Sequence, residues 1–189
     1  MPTTVGNWWE YQVTEERSFT PPRTYKVRLE IYDEETNYQN KGRLAYLIDV
    51  QKDGVPQPDL TASPVAGNTS EEDRCDLERN GLFVYLMQNN IAKGTWTQTG
   101  LVVDFPLQYR GDQIRTTPAG RFDCREMFYD NGNEYRPETW NEYYAENKGL
   151  VGFYYTYKEY DTSVPPRLID WRTVTYELLD FNIEPPTGS

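Results

Sequence analysis

Between Tyr25 and Asp33 apolar and polar side chains alternate without a break, Tyr25, Val27, Leu29 and Ile31 falling between Lys26, Arg28, Glu30 and Tyr32. Successive side chains of an extended chain point to opposite faces, so this segment sets one face on a core and the other in water; a helix would scatter the same residues around its axis. Trp9, Tyr11 and Val13 repeat the pattern within Trp8 to Glu16, and Leu44, Tyr46, Ile48 and Val50 repeat it within Leu44 to Asp53. Polar turn residues at Asn40, Lys41 and Gly42 join the second run to the third. Three such runs with short connections predict an antiparallel meander.

Strand texture returns at Gly81 to Met87, Leu101 to Tyr109, Gly120 to Tyr129, Trp140 to Ala145, Leu150 to Tyr160 and Trp171 to Phe181. The Asn80-Gly81 and Asn131-Gly132 dipeptides supply the positive φ that tight turns need, and the Pro165-Pro166 and Pro185-Pro186 pairs end elements. From Gly54 to Asn80 the chain is rich in Pro, Ser, Thr and Asp, with no apolar period, which predicts a long excursion carrying a short helical turn over Ser70 to Leu77. No internal repeat suggests a propeller or solenoid. The expected architecture is mainly β: a single curved antiparallel sheet or open β-barrel of about nine strands with little helix. One domain spans residues 1–189, with 54–80 as a polar loop or insertion. With 16 Tyr, 7 Phe and 5 Trp, aromatic rings must fill much of the core. Trp9, Tyr11, Val27, Leu29, Ile31, Ile48, Val50, Phe122 and Leu150 are expected inside.

The chain has no histidine, which removes Ser-His-Asp and Cys-His catalysis together with the commonest metal ligand. It carries no nucleophile elbow, phosphate loop or dinucleotide fingerprint, so no cofactor is expected. Asp59, Asp73 and Asp76 lack the spacing of a calcium loop and read as solvating loop residues. A net charge of −11 with no basic run repels phosphate backbones, so no nucleic acid is expected as a partner. No apolar run approaches the roughly 18 residues that span a bilayer, so the mature domain is read as soluble. Cys75 and Cys124 are either two buried thiols or one disulfide closing a loop of about 50 residues.

Carboxylates are the remaining chemistry. Glu126, Glu138 and Glu142 lie near Trp140, Tyr143 and Tyr144, and a glycosidase needs only two acids at a set separation. Glu126 shares its alternation with Phe122, Cys124 and Phe128, so it is either a buried acid with a raised pKa or a structural acid meeting Arg or solvent. Aromatic residues cluster at Trp8-Trp9, at Trp140, Tyr143 and Tyr144, and at Tyr154, Tyr155, Tyr157 and Tyr160. Neighbours on a strand face opposite ways, so one ring of each adjacent pair is expected to meet water or a ligand.

Three segments together carry a family resemblance. The opening Gly6-Asn7-Trp8-Trp9-Glu10-Tyr11, the central Pro118-Ala119-Gly120-Arg121-Phe122-Asp123-Cys124 and the later Tyr143-Tyr144-Ala145 with Gly149-Leu150-Val151 resemble secreted bacterial, lipoprotein-like β-sheet proteins of uncharacterised function. Their architecture is similar to the curved sheets of LolA/LolB-type lipoprotein carriers. The resemblance implies an extracytoplasmic location, in the periplasm or at the cell surface, and is compatible with a lipid anchor in the native protein. It supplies no catalytic residues.

The expected function is therefore noncatalytic binding: a concave sheet holding an apolar small molecule, a lipid or a protein segment. Trp140, Tyr143, Tyr144, Tyr154 and Tyr155 are the expected ligand-binding residues. The alternatives are a carbohydrate-binding module and a carboxylate-dependent glycosidase.

Overall fold

A computed structural model describes residues 5–38, 43–56, 74–79, 82–87, 95–99 and 104–184. The described strands are β1 (Trp8–Arg17), β2 (Thr20–Tyr38), β3 (Arg43–Lys52), β4 (Val55–Pro56), β5 (Arg74–Arg79), β6 (Leu82–Met87), β7 (Thr95–Thr99), β8 (Asp104–Thr117), β9 (Gly120–Asp130), β10 (Glu138–Ala145), β11 (Gly149–Tyr160) and β12 (Leu168–Asn182). No helix occurs among the described residues. Ten strands form one sheet in the order β4-β3-β2-β1-β12-β11-β10-β9-β8-β7, and β5 pairs with β6 alone.

Almost every neighbour in the large sheet is also a neighbour in sequence, as alternating runs with short turns require. The exception is the antiparallel pairing of β1 with β12, from Trp8 opposite Asn182 to Arg17 opposite Arg172. It joins the first meander to the last and fixes the sheet at its middle. The edges β4 and β7 do not pair with each other, so the sheet is open.

Register decides the core. Tyr25, Val13, Tyr176, Phe153, Glu142, Met127 and Tyr109 are successive cross-strand partners from β2 through β8, a transverse row on the inner face. Trp9, Tyr11, Leu29, Ile31, Leu150 and Leu178 share its interior and are fully shielded from solvent. The edge of Tyr11 meets the ring of Tyr176 at 6.1 Å, and Phe153 meets the same ring at 5.6 Å, the T-shaped contacts aromatic quadrupoles favour. Of the residues expected inside, Trp9, Tyr11, Val27, Leu29, Ile31, Val50 and Leu150 are buried. The Ile48 side chain lies outside the described residues.

Bulges curl the sheet over this core. Register slips between Glu10 and Tyr11, between Tyr109 and Gly111, and between Tyr143 and Tyr144, and each such slip bends its strand and tightens the twist. The β10–β11 turn consequently reaches back over β1: Trp9 Nε1 donates to the Lys148 carbonyl at 2.7 Å and the Tyr11 hydroxyl to the Leu150 carbonyl at 3.0 Å. The tip of the β8–β9 hairpin meets β12, where Ala119 N–H donates to the Leu178 carbonyl at 3.2 Å. Gly120 turns this tip at φ +136°. Side chains rarely adopt that conformation, so Gly120→Ala is expected to lower stability by about 1–3 kcal/mol, measured by urea unfolding.

Three expectations change. Residues 74–77, read as part of a helical turn, belong to strand β5; residues 70–73 lie outside the described residues. The segment read as Leu101 to Tyr109 continues as strand β8 to Thr117, residues 101–103 lying outside the described residues, and strand β7, which was not expected, precedes it. On β9 the inward residues are Met127 and Tyr129, while Phe122 is only half-buried. Cys124 is buried on the other parity, opposite Ala145.

Candidate functional site

The two faces of β8 to β12 differ in kind, and the five aromatic candidates divide between them. Trp140 and Tyr144 project into the core, each 2% exposed. The Trp140 ring stacks on Tyr129 at 4.1 Å, and the Tyr144 hydroxyl donates to Glu142 at 2.8 Å. Tyr155 sits at the rim of the same face, half-buried, donating to Glu138 at 2.9 Å. Burial, followed by the Glu138 charge, pushes its phenol above the ordinary range.

Tyr143 and Tyr154 lie on the outer face. Tyr143 is nonetheless buried, because Arg115 covers its ring at 4.2 Å from the centroid. Burial and the neighbouring Glu126 raise its phenol. Two adjacent tyrosines, 143 and 144, are thus both withdrawn from water, where alternation alone predicts one. The curled tip shields both sides of the sheet there, and Val151 is the extra residue of the bulge beside them. Tyr154 remains exposed, at 43%.

The acids divide similarly. Glu126 stands on the outer face, half-buried, and accepts hydrogen bonds from the side-chain amides of Gln113 and Asn141. This matches the reading of Glu126 as a structural acid, with amides in place of Arg. Glu142 is fully buried between Met127 and Phe153, out of reach of any solvent-borne substrate. No group of three or more acidic or thiol side chains suited to a metal ion occurs among the described residues.

Around Tyr154 the outer face forms a band that sequence reasoning missed. Thr24, Thr14, Thr175, Tyr154, Asn141, Phe128 and Gln108 are successive cross-strand partners from β2 to β8. None is charged. In the next row Thr173, Thr156 and Thr139 are likewise partnered. Each strand viewed alone shows only a polar alternation; the register is what aligns the hydroxyls. Arg110 covers Phe128 at 3.2 Å from the ring centroid, leaving Tyr154 as the band's exposed ring.

A cleft of about 390 Å³ opens between the β8–β9 hairpin and the end of β10, lined by Asp112, Asp123, Arg125, Tyr144 and Glu146 among others. Cys124 also borders it and is a free thiol. Burial pushes that thiol up to about 11, which leaves very little thiolate at neutral pH. Labelling of Cys124 by a thiol reagent in the native protein is therefore expected to be at least tenfold slower than in urea; equal rates would mean that the site is open.

No family model matches the chain, and no curated protein matches it. Two solved structures resemble it. A "putative exported protein with YmcC-like fold" from Bacteroides fragilis superposes with a TM-score of 0.51 at 10% identity, covering 96% of this chain and 98% of that one. A "putative lipoprotein" from Parabacteroides distasonis superposes with a TM-score of 0.48 at 14% identity, covering 96% and 97%. The first likeness shows a shared fold, which here places the open, curled sheet.

Proposed function

We propose that this chain is a noncatalytic binding protein of the extracytoplasmic space, taking its ligand on the outer face of the sheet. The observation that carries this reading is the contrast between the faces. The inner face is packed with its own Trp9, Tyr11, Leu29, Ile31 and Met127, whereas the outer face keeps Tyr154 in water. Large aromatic rings held at a rigid sheet surface are efficient contact groups, because few rotamers are lost on binding.

Two further points support it. Glu142 is sealed in the core and Glu126 is engaged by two amides, so neither is poised as a glycosidase acid beside an open site. The Bacteroides fragilis protein that shares the fold is described as exported, in keeping with the extracytoplasmic reading. The resemblance to LolA/LolB-type carriers rests on sequence motifs, and a concave face filled by side chains leaves less room for the lipid such a trough would hold.

The test is a thermal-shift and native mass-spectrometry screen against neutral oligosaccharides, phospholipids and peptides. At least one class is expected to bind unchanged. Turnover of a bound glycan that is lost in Glu126→Gln would overturn the noncatalytic reading.

A further inference from the structure

We infer that the outer band centred on Tyr154 is a binding surface for an extended, neutral polysaccharide. The inference rests on the binding reading above and names its ligand class. Its first ground is charge. In a chain of net charge −11, the row through Thr175, Tyr154 and Asn141 carries no charged side chain, and neither does the adjoining stretch Thr173, Thr156 and Thr139. Charges resume at its margins, with Glu177 and Glu126 one row above and Glu16 and Asp130 at the ends of the row below. Arg110 over Phe128 and Lys26 in the row above are the cations beside it, so the uncharged core of the band is the stretch Thr14, Thr175, Tyr154 and Asn141, which offers neither an acidic nor a basic polymer an ion pair of its own.

The second ground is chemical match. A neutral sugar chain presents hydroxyls that both donate and accept, together with apolar C–H faces. Threonine hydroxyls supply both hydrogen-bonding roles, and Asn141, one amide hydrogen of which is held by Glu126, keeps its carbonyl oxygen and its second hydrogen. The exposed phenol ring of Tyr154 offers an apolar face with a polar tip.

The third ground is shape. Short of Phe128, which Arg110 covers, the band crosses five strands from β2 to β10, about 19 Å at the usual strand spacing. A single monosaccharide would use a fraction of that length; a chain of several sugars would use all of it.

Affinity electrophoresis in gels containing neutral glucan, xylan or mannan, with acidic alginate as a comparison, tests the inference. At least one neutral polymer is expected to retard the protein, with no retardation by alginate. Tyr154→Ala and Thr156→Lys, both checked for native circular dichroism, are each expected to weaken that retardation at least fivefold. Tyr32→Ala, which removes an exposed ring elsewhere, is expected to leave it unchanged. Retardation that survives both band variants, or that favours alginate, overturns the inference. If no neutral glycan binds while a lipid or peptide from the wider screen does, the glycan assignment alone falls; if nothing in the screen binds, the binding function falls with it.

Discussion

Replacing Trp9 with Ala is expected to destabilise the protein by about 3–5 kcal/mol, the range for deleting a large aromatic side chain from a packed core. Trp9 is 0% exposed and lies between Leu29 of β2 and Phe181 of β12 in the ladder. Its indole N–H also holds the Lys148 carbonyl at 2.7 Å, so it pins the β10–β11 turn over the first strand. Trp9→Phe keeps most of the apolar area and loses that bond, so its cost should be smaller. Leu29→Ala, at a position equally buried but without a polar contact, is expected to cost about 2–5 kcal/mol. Urea unfolding followed by far-UV circular dichroism measures all three. Losses below about 1.5 kcal/mol for both Trp9→Ala and Leu29→Ala would mean that the inner face is not the packed core, since such core deletions ordinarily cost more.

The second large effect is expected at Glu142. Its carboxylate sits in the middle of the aromatic row, 0% exposed, and accepts the Tyr144 hydroxyl at 2.8 Å. Glu142→Ala removes that acceptor from a buried donor and leaves a cavity, a combined loss of about 2–4 kcal/mol. Glu142→Gln keeps an acceptor oxygen of the same reach and should cost less than half as much. The double variant Glu142→Leu with Tyr144→Phe removes both ends of the bond together and fills the space with apolar atoms. It should recover a substantial part of the loss, because the penalty for an unsatisfied buried group is larger than the net gain from a satisfied pair. Full additivity of the two single substitutions would sink the idea that they act as a pair.

The polar network on the outer face has a different role. Gln113, Asn141 and Glu126 tie β8, β9 and β10 together beside the Arg115–Tyr143 contact. These groups stiffen the part of the sheet that flanks Tyr154. A rigid platform matters for a surface site, because side chains that are already ordered lose less entropy when a ligand settles on them.

The strands of the first meander, and the faces of β1 and of β2 as far as Asp33, were legible in the sequence. Tyr25 to Asp33 alternates with a period of two, and a slip of one residue would put Val27, Leu29 and Ile31 into water, so local chemistry alone dictates which side is inside. The same reasoning separated Trp8 from Trp9: the first lies half-buried beneath Arg28 and the second is in the core. On β9 local pattern was ambiguous, because Phe122, Cys124 and Phe128 on one parity compete with Met127 and Tyr129 on the other. Curling of the hairpin tip and pairing with β10 resolved the competition in favour of Met127 and Tyr129. The withdrawal of Trp140, Tyr143 and Tyr144 from water likewise depends on a bulge and on Arg115, which lies 28 residues before Tyr143 in the sequence. The pairing of β1 with β12 and the uncharged row through Tyr154 are tertiary decisions as well. A two-residue period fixes what each strand turns inward, but which strand lies beside it, and in which register, is set by contacts between distant segments that no local pattern encodes.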